Sequence, residues 1–231
     1  MIESGASPGS STLVKVWDAP VRVFHWLLVA LVTFMFVSGK LSWMTWHMRC
    51  GYAVLSLVAF RVLWGFAGST TARFASFVAG PAAALRFARQ LLSKSAAPSL
   101  GHNPLGGWMV LLLLAALLMQ AGTGLFSNDD VLSEGPLAAL VRKETSDRIS
   151  TVHYWNSNLL LLLLALHVAA VGYHWLVKKE NLIGAMFTGV KRLPAHAAAG
   201  GTATRFASSW RALALLGVAA LAVYLIVNRP F

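Results

Sequence analysis

Residues 151–179, TVHYWNSNLLLLLLALHVAAVGYHWLVKK, are long and apolar enough to cross a bilayer, yet they carry His153, His167 and His174. Ionisable side chains at membrane depth are expensive, so each one marks a candidate site. His153 and His167 are fourteen residues apart, nearly four whole helical turns. Both rings therefore project from about the same face, roughly 21 Å apart along the axis. The apolar core of a membrane is about 30 Å thick, so this helix offers one imidazole near each surface. If both are ligands, the remaining chain must supply two partners at matching depths.

The rest of the sequence is built for lipid. It is 57% hydrophobic and 12% charged, with a mean hydropathy of +0.65, an integral-membrane composition. The first twenty residues are polar and rich in Ser and Gly, with no small-residue cleavage site before the first apolar stretch, so the N-terminus is expected to be retained. The net charge of +11 sits mainly in short segments beside apolar spans. That distribution indicates topology determinants and lipid-headgroup contacts rather than nucleic-acid binding. A single cysteine, Cys50, excludes an internal disulfide framework, and the absence of C-x-x-C-H excludes covalent c-type haem attachment.

Five spans are expected, over residues 21–39, 46–68, 105–126, 151–179 and 212–228. The organisation follows: an N-terminal arm over 1–19, a four-helix transmembrane domain over 20–179, a linker over 180–211 and a fifth transmembrane helix within 212–231. Inside the main domain, residues 69–104 are too polar to span. They contain a short surface helix with Arg86, Arg89 and Ser93 on one face and Ala84, Leu85, Ala88, Leu91 and Leu92 on the other. Residues 127–150 form a polar loop holding five of the eight acidic residues. No internal repeat is evident. Lys and Arg are concentrated after the second and fourth spans, which places the N-terminus in the cytoplasm and the C-terminus outside.

With that orientation the histidines fall into depth-matched pairs. His25 and His167 lie toward the inner surface, His47 and His153 toward the outer one. Two bis-imidazole pairs, one above the other in a helical bundle, suit two six-coordinate haem irons. A cation path is disfavoured, because no acid occurs between Asp18 and Asp129 and such paths usually need carboxylates at depth. Arg61, fourteen residues after His47, lies at the depth of the inner pair, either facing a haem propionate or snorkelling to headgroups. His174 is a rival ligand for His25, a hydrogen-bond partner for quinone or propionate, or a plain interfacial residue. His102 and His196 are expected to be solvated loop residues. Several glycines, Gly124 among them, either admit a flat porphyrin or simply permit close helix packing.

Arg22-Val23-Phe24-His25-Trp26, His47 followed by Cys50-Gly51-Tyr52, Gly101-His102-Asn103-Pro104-Leu105-Gly106-Gly107, the His153/His167 spacing, and Asn181-Leu182-Ile183 through Met186 together resemble the bacterial cytochrome b561 family. That family is related to the dihaem cytochrome b subunits of hydrogenases and formate dehydrogenases. The resemblance covers about residues 14 to 192. It implies an all-α integral membrane fold: a four-helix bundle holding two b haems, with a fifth C-terminal helix outside the match. It also implies axial ligation by His25, His47, His153 and His167, and residence in the bacterial inner membrane. Electrons would pass between quinone and a redox partner, and no side chain is assigned a catalytic role. The Gly-His-Asn-Pro stretch and the Ser127-Asn128-Asp129-Asp130 loop look like members that work with periplasmic c-type cytochromes. Asp129, Asp130 and Glu134 are candidates to dock such a partner. Some members instead oxidise superoxide and reduce quinone without a protein partner, and Lys40 and Arg49 could attract that anion.

Overall fold

The computed structural model describes residues 11–92, 99–194 and 204–228. In chain order these residues form β1 (Ser11–Lys15), α1 (Ala19–Lys40), α2 (Met44–Ala67), α3 (Phe74–Phe77), α4 (Pro81–Leu92), α5 (Pro104–Gly124), α6 (Lys143–Leu176), α7 (Leu182–Thr188), β2 (Val190–Pro194) and α8 (Ser209–Val227). Five of the helices, α1, α2, α5, α6 and α8, are long and apolar enough to cross a membrane. The fold is that of an all-α integral membrane protein.

Local chemistry sets where the helices begin. The Asp18 carboxylate accepts from Val21 N at 2.8 Å, with Pro20 in the first turn of α1. Asn103 caps α5 in the same way through Gly106 N at 2.7 Å, followed by Pro104. In both, the cap satisfies an orphan N–H while proline, which has none to satisfy, fixes φ. Asn181 and Ser208 cap α7 and α8. α6 begins at Lys143, eight residues before the apolar run, because a charged first turn with a Lys143–Asp147 pair at i,i+4 extends it. Hydropathy does not register that extension.

Neighbouring helices pack in the order α1–α2–α5–α6, and α8 lies along α2 with lighter contact to α1. α6 leans on α5 through Asn156, Leu160 and Leu163. Asn156 donates to Ala116 O at 2.9 Å and to Gln120 Oε1 at 2.7 Å, a polar tie between apolar helices. Against α1 and α2, by contrast, α6 makes at most marginal backbone contact.

Segments outside the spans are more structured than their composition indicates. Residues 70–77 fold back under the bundle, and Gly65 and Gly107 make room for them. A Cβ on Gly65 would fall 2.1 Å from the Phe74 ring, and one on Gly107 would fall 2.6 Å from Phe77 O. At these two glycines close packing is what the missing side chain permits. α4 lies against α5 with Ala84 buried, while Leu85 on its apolar face turns outward, 56% exposed. Ser93, from the same proposed surface helix, is outside the described residues, as is His196. The 180–211 stretch contains α7 and β2, and β2 pairs antiparallel with β1 from Ser11↔Pro194 to Lys15↔Val190. That ribbon was not foreseen in either segment. Its strands are short, separated by about 175 residues of chain, and bear no helical or membrane signature.

Candidate functional site

The end of the bundle that carries His47 and His153 brings the two rings face to edge, with centroids 6.4 Å apart. Each ring is seated identically by the helix preceding its own. His47 Nδ1 lies 3.1 Å from Met35 O and 3.2 Å from Ser38 Oγ. His153 Nδ1 lies 3.0 Å from Gln120 O and 3.1 Å from Thr123 Oγ1. A carbonyl only accepts, so Nδ1 carries the proton in both rings. The hydroxyls turn their own hydrogens to backbone carbonyls, Ser38 to Met35 O and Thr123 to Met119 O or Gln120 O. Their lone pairs are thus left facing the imidazoles. Nε2 of each ring keeps its lone pair, the arrangement in which a histidine binds metal while a second partner fixes its tautomer.

Glycines complete both seats. A Cβ at Gly39 would be 3.3 Å from His47 Cε1, and one at Gly124 would be 3.1 Å from His153 Cε1. Residues 35–39 of α1 and 120–124 of α5 are therefore one device used twice: carbonyl, hydroxyl, glycine. Sequence reading missed Ser38, Thr123 and Gly39. The signal was a Ser-Gly or Thr-Gly pair closing the helix before each histidine helix, but loops of different length hide the equivalence.

The opposite end carries His25 and His167, close enough that the charge of one acts on the other. His25 Nδ1 is sealed from solvent and has no partner. α7 supports this end: Trp26 stacks on Phe187 at 4.2 Å and donates to Met186 O at 3.3 Å, and Arg22 donates to Phe187 O. Arg61 is enclosed by protein, 3% exposed, with its guanidinium 5.4 Å from the Phe74 ring centre. It does not snorkel. A carboxylate does lie within its electrostatic reach, that of Asp18. Both Asp18 oxygens are already engaged, by Val21 N and by Trp64 Nε1 at 3.0 Å.

His102 overturns expectation. Rather than standing in solvent, its ring is held between Trp17 and Phe77, each at 4.7 Å, and its Nδ1 is sealed without a partner. The N-terminal arm and α3 fold over it, which a loop reading cannot anticipate. Burial, with the charges of Arg61 and His167 adding, pulls its imidazolium down to about 3, so the ring is neutral at physiological pH.

His174 has both nitrogens occupied, Nδ1 at 3.1 Å from Glu180 Oε2 and Nε2 at 3.4 Å from Asn103 Nδ2. These contacts tie His174 to the cap of α5 and to the segment before α7. Glu180 also meets Lys191 Nζ at 3.4 Å, and Lys191 donates to Ser99 O at 2.9 Å. These groups border a small open cleft lined by Phe87, Asn103, His174, Lys178 and Glu180 among others.

The acidic loop is largely turned on itself. Asp129 accepts from the backbone N–H groups of Val131, Leu132 and Ser133 at 2.8–3.0 Å, and Lys143 pairs with Asp130 and Asp147. Glu134 is exposed. The tip is apolar, with Leu132 93% exposed.

Among the described residues no cluster of three or more His, Cys, Asp or Glu would hold a bare metal ion. Paired imidazoles are instead the axial set for a planar macrocycle. With metal–nitrogen bonds of about 2 Å, two axial imidazoles on one metal have ring centres about 6 Å apart, close to the 6.4 Å observed. The prokaryotic cytochrome b561 family matches residues 16–189. The chain belongs to this family. It is therefore a membrane protein of haem b electron transfer, and the paired histidines fit that cofactor. No curated protein and no solved structure matches the chain.

Proposed function

We propose that this cytochrome b561 holds two b haems, one between His47 and His153 and one between His25 and His167, and passes electrons through them between quinone and a periplasmic c-type cytochrome. One observation carries the reading: His47 and His153 face each other at axial-ligand separation, each with Nδ1–H fixed and Nε2 presented. A b haem supplies a one-electron couple. The chain fixes the ligand tautomers through Met35 O and Gln120 O, and excludes water with apolar walls. The prokaryotic family supports residence in the bacterial inner membrane, and Lys and Arg placement supports a cytoplasmic N-terminus and a periplasmic C-terminus. His47 and His153 then form the outer pair. The cleft beside His174 supports a quinone site at the inner end, where the hydrogen-bonded Asn103–His174–Glu180 chain provides a proton route.

The test is an optical spectrum and haem count on the purified chain. About two non-covalent haems per chain are expected, and His153→Ala and His167→Ala each remove a different one. A single haem, or two substitutions erasing the same spectral component, would defeat the reading.

A second reading has its own observation. Lys40 and Arg49 are exposed beside the helix ends that carry the outer pair, and they would draw in superoxide for oxidation coupled to quinone reduction. Rapid haem reduction by superoxide, with none by a c-type cytochrome, would select it.

A further inference from the structure

Five buried side-chain atoms among the described residues lack a hydrogen-bond partner, and four of them are nitrogens at the His25 end: Arg22 Nε, His25 Nδ1, Arg61 Nη1 and His102 Nδ1. A stranded buried polar group costs about 1–3 kcal/mol, more if charged. Four together indicate an acceptor that belongs among them. Two of the four stand out. Arg61 lies over the Phe74 ring at 5.4 Å, Phe74 packs on Phe77 at 5.8 Å and Phe77 on His102 at 4.7 Å, so both gather around one aromatic cluster. The charges of Arg61 and His167 both reach His102. Arg61 and His102 arrive from different elements, α2 and the approach to α5. None of the hydrogen bonds or ion pairs among the described residues includes Arg61: the Asp18 carboxylate acts on it only through space, while its oxygens accept from Val21 N and Trp64 Nε1. The His102 ring cannot swing away, because Trp17 and Phe77 grip it from two sides.

We propose that Arg61 and His102 form a carboxylate cradle for a propionate of the porphyrin held between His25 and His167. The guanidinium supplies charge and the neutral imidazole a directed N–H, so the two act as unlike donors to one anion. The aromatic grip makes His102 a preset positioning residue rather than a mobile cap. A lipid phosphate offers the same oxygen chemistry, but Arg61, at 3% exposure, favours a group enclosed with the bundle over one at its surface. The inference rests on His25 and His167 being ligands of one haem.

The experiment compares haem b with haem b dimethyl ester, whose propionates cannot ionise, bound to the full-length chain. The His25/His167 site is read by difference spectra against His167→Ala. The intact chain is expected to prefer the free acid by roughly tenfold or more, the worth of one charge-assisted hydrogen bond. Arg61→Gln and His102→Leu each narrow that preference. Their combination narrows it by less than the two effects summed, because both act on one carboxylate. Arg61→Lys and His102→Gln, which keep charge or hydrogen-bonding capacity, restore part of it and separate the cradle from misfolding. An unchanged preference in both variants overturns the cradle. So does equal weakening of both haem forms, the result expected of a lipid phosphate or of packing alone. If His167→Ala leaves that haem's spectrum intact, the ligand assignment fails and the cradle with it. An ester-insensitive site that still needs His167 defeats the cradle alone.

Discussion

His153 is placed by atoms that are individually unremarkable: a carbonyl of Gln120, a hydroxyl of Thr123 and the missing side chain of Gly124. A ligand ring must be held within a few tenths of an ångström to serve its metal, and each of these atoms removes one freedom from the imidazole. Gly124→Ala is a direct test. Its Cβ would sit 3.1 Å from His153 Cε1, so the ring must yield, whereas Gly122, on the same helix, faces nothing within 4 Å. Gly124→Ala is expected to weaken haem retention at this site about 10–100-fold, the usual cost of disturbing a ligand's support. Gly122→Ala leaves it unchanged. Haem per chain after dilution in detergent measures both. Equal behaviour of the two would mean the glycine seat does not matter.

At the scale of elements, what happens between the spans matters as much as the spans. The 127–142 connection is a closed structure in which Asp129 accepts three consecutive backbone N–H bonds. Those bonds hold its carboxyl down to about 2. A depressed native value means that the stabilisation is fully present above the ordinary carboxylate range, near about 4. It is lost as pH falls through the native value. Amide resonances of Val131, Leu132 and Ser133 should therefore titrate together with a midpoint near 2, and Asp129→Ala should abolish that transition. A midpoint near 4 would show that the loop does not use the carboxylate. Asp129 and Asp130 stay exposed although they are engaged within the loop. α8 belongs to the same scale. Ser69 and Thr70, just past the end of α2, hold its approach through Ala207 N and Arg205, and its small buried residues Ala212 and Ala219 let it lie close along α2.

At the scale of the molecule, the chain closes on itself. Val16 N and Trp17 N both donate to Gly189 O, at 2.8 and 3.1 Å, and β1–β2 continues the closure outward. The family match runs over residues 16–189, so its two ends meet in space at this contact. Trp17 then reaches His102, while Arg22 and Trp26 reach α7, and closure is thereby coupled to the His25 end. Gly189 adopts φ of 82°, and a Cβ there would lie 2.7 Å from Trp17 O. Gly189→Ala is expected to cost about 1–2 kcal/mol from the left-handed backbone alone, and more from the collision. Thermal melting of the purified chain should show a lowered midpoint, with haem lost first from the His25/His167 site. An unchanged midpoint would refute the strain, and equal loss of haem from both sites would refute the coupling.

The spans and the approach of His47 to His153 and of His25 to His167 were legible in the sequence, whereas for Arg61 it left enclosure and snorkelling both open. Hydropathy and a helical period are local properties that fifteen or twenty consecutive residues can express, and the price of ionisable groups in lipid makes exceptions conspicuous. The equivalence of Ser38-Gly39 with Thr123-Gly124, the burial of His102, the engagement of both His174 nitrogens and the β1–β2 closure were not legible. Each depends on groups far apart in the chain meeting across helices, at positions and in orientations that no single segment encodes. The sequence determined which segments are apolar enough to span and which ionisable side chains they carry. Tertiary packing decided which of their atoms are already satisfied and which are left to bind a cofactor.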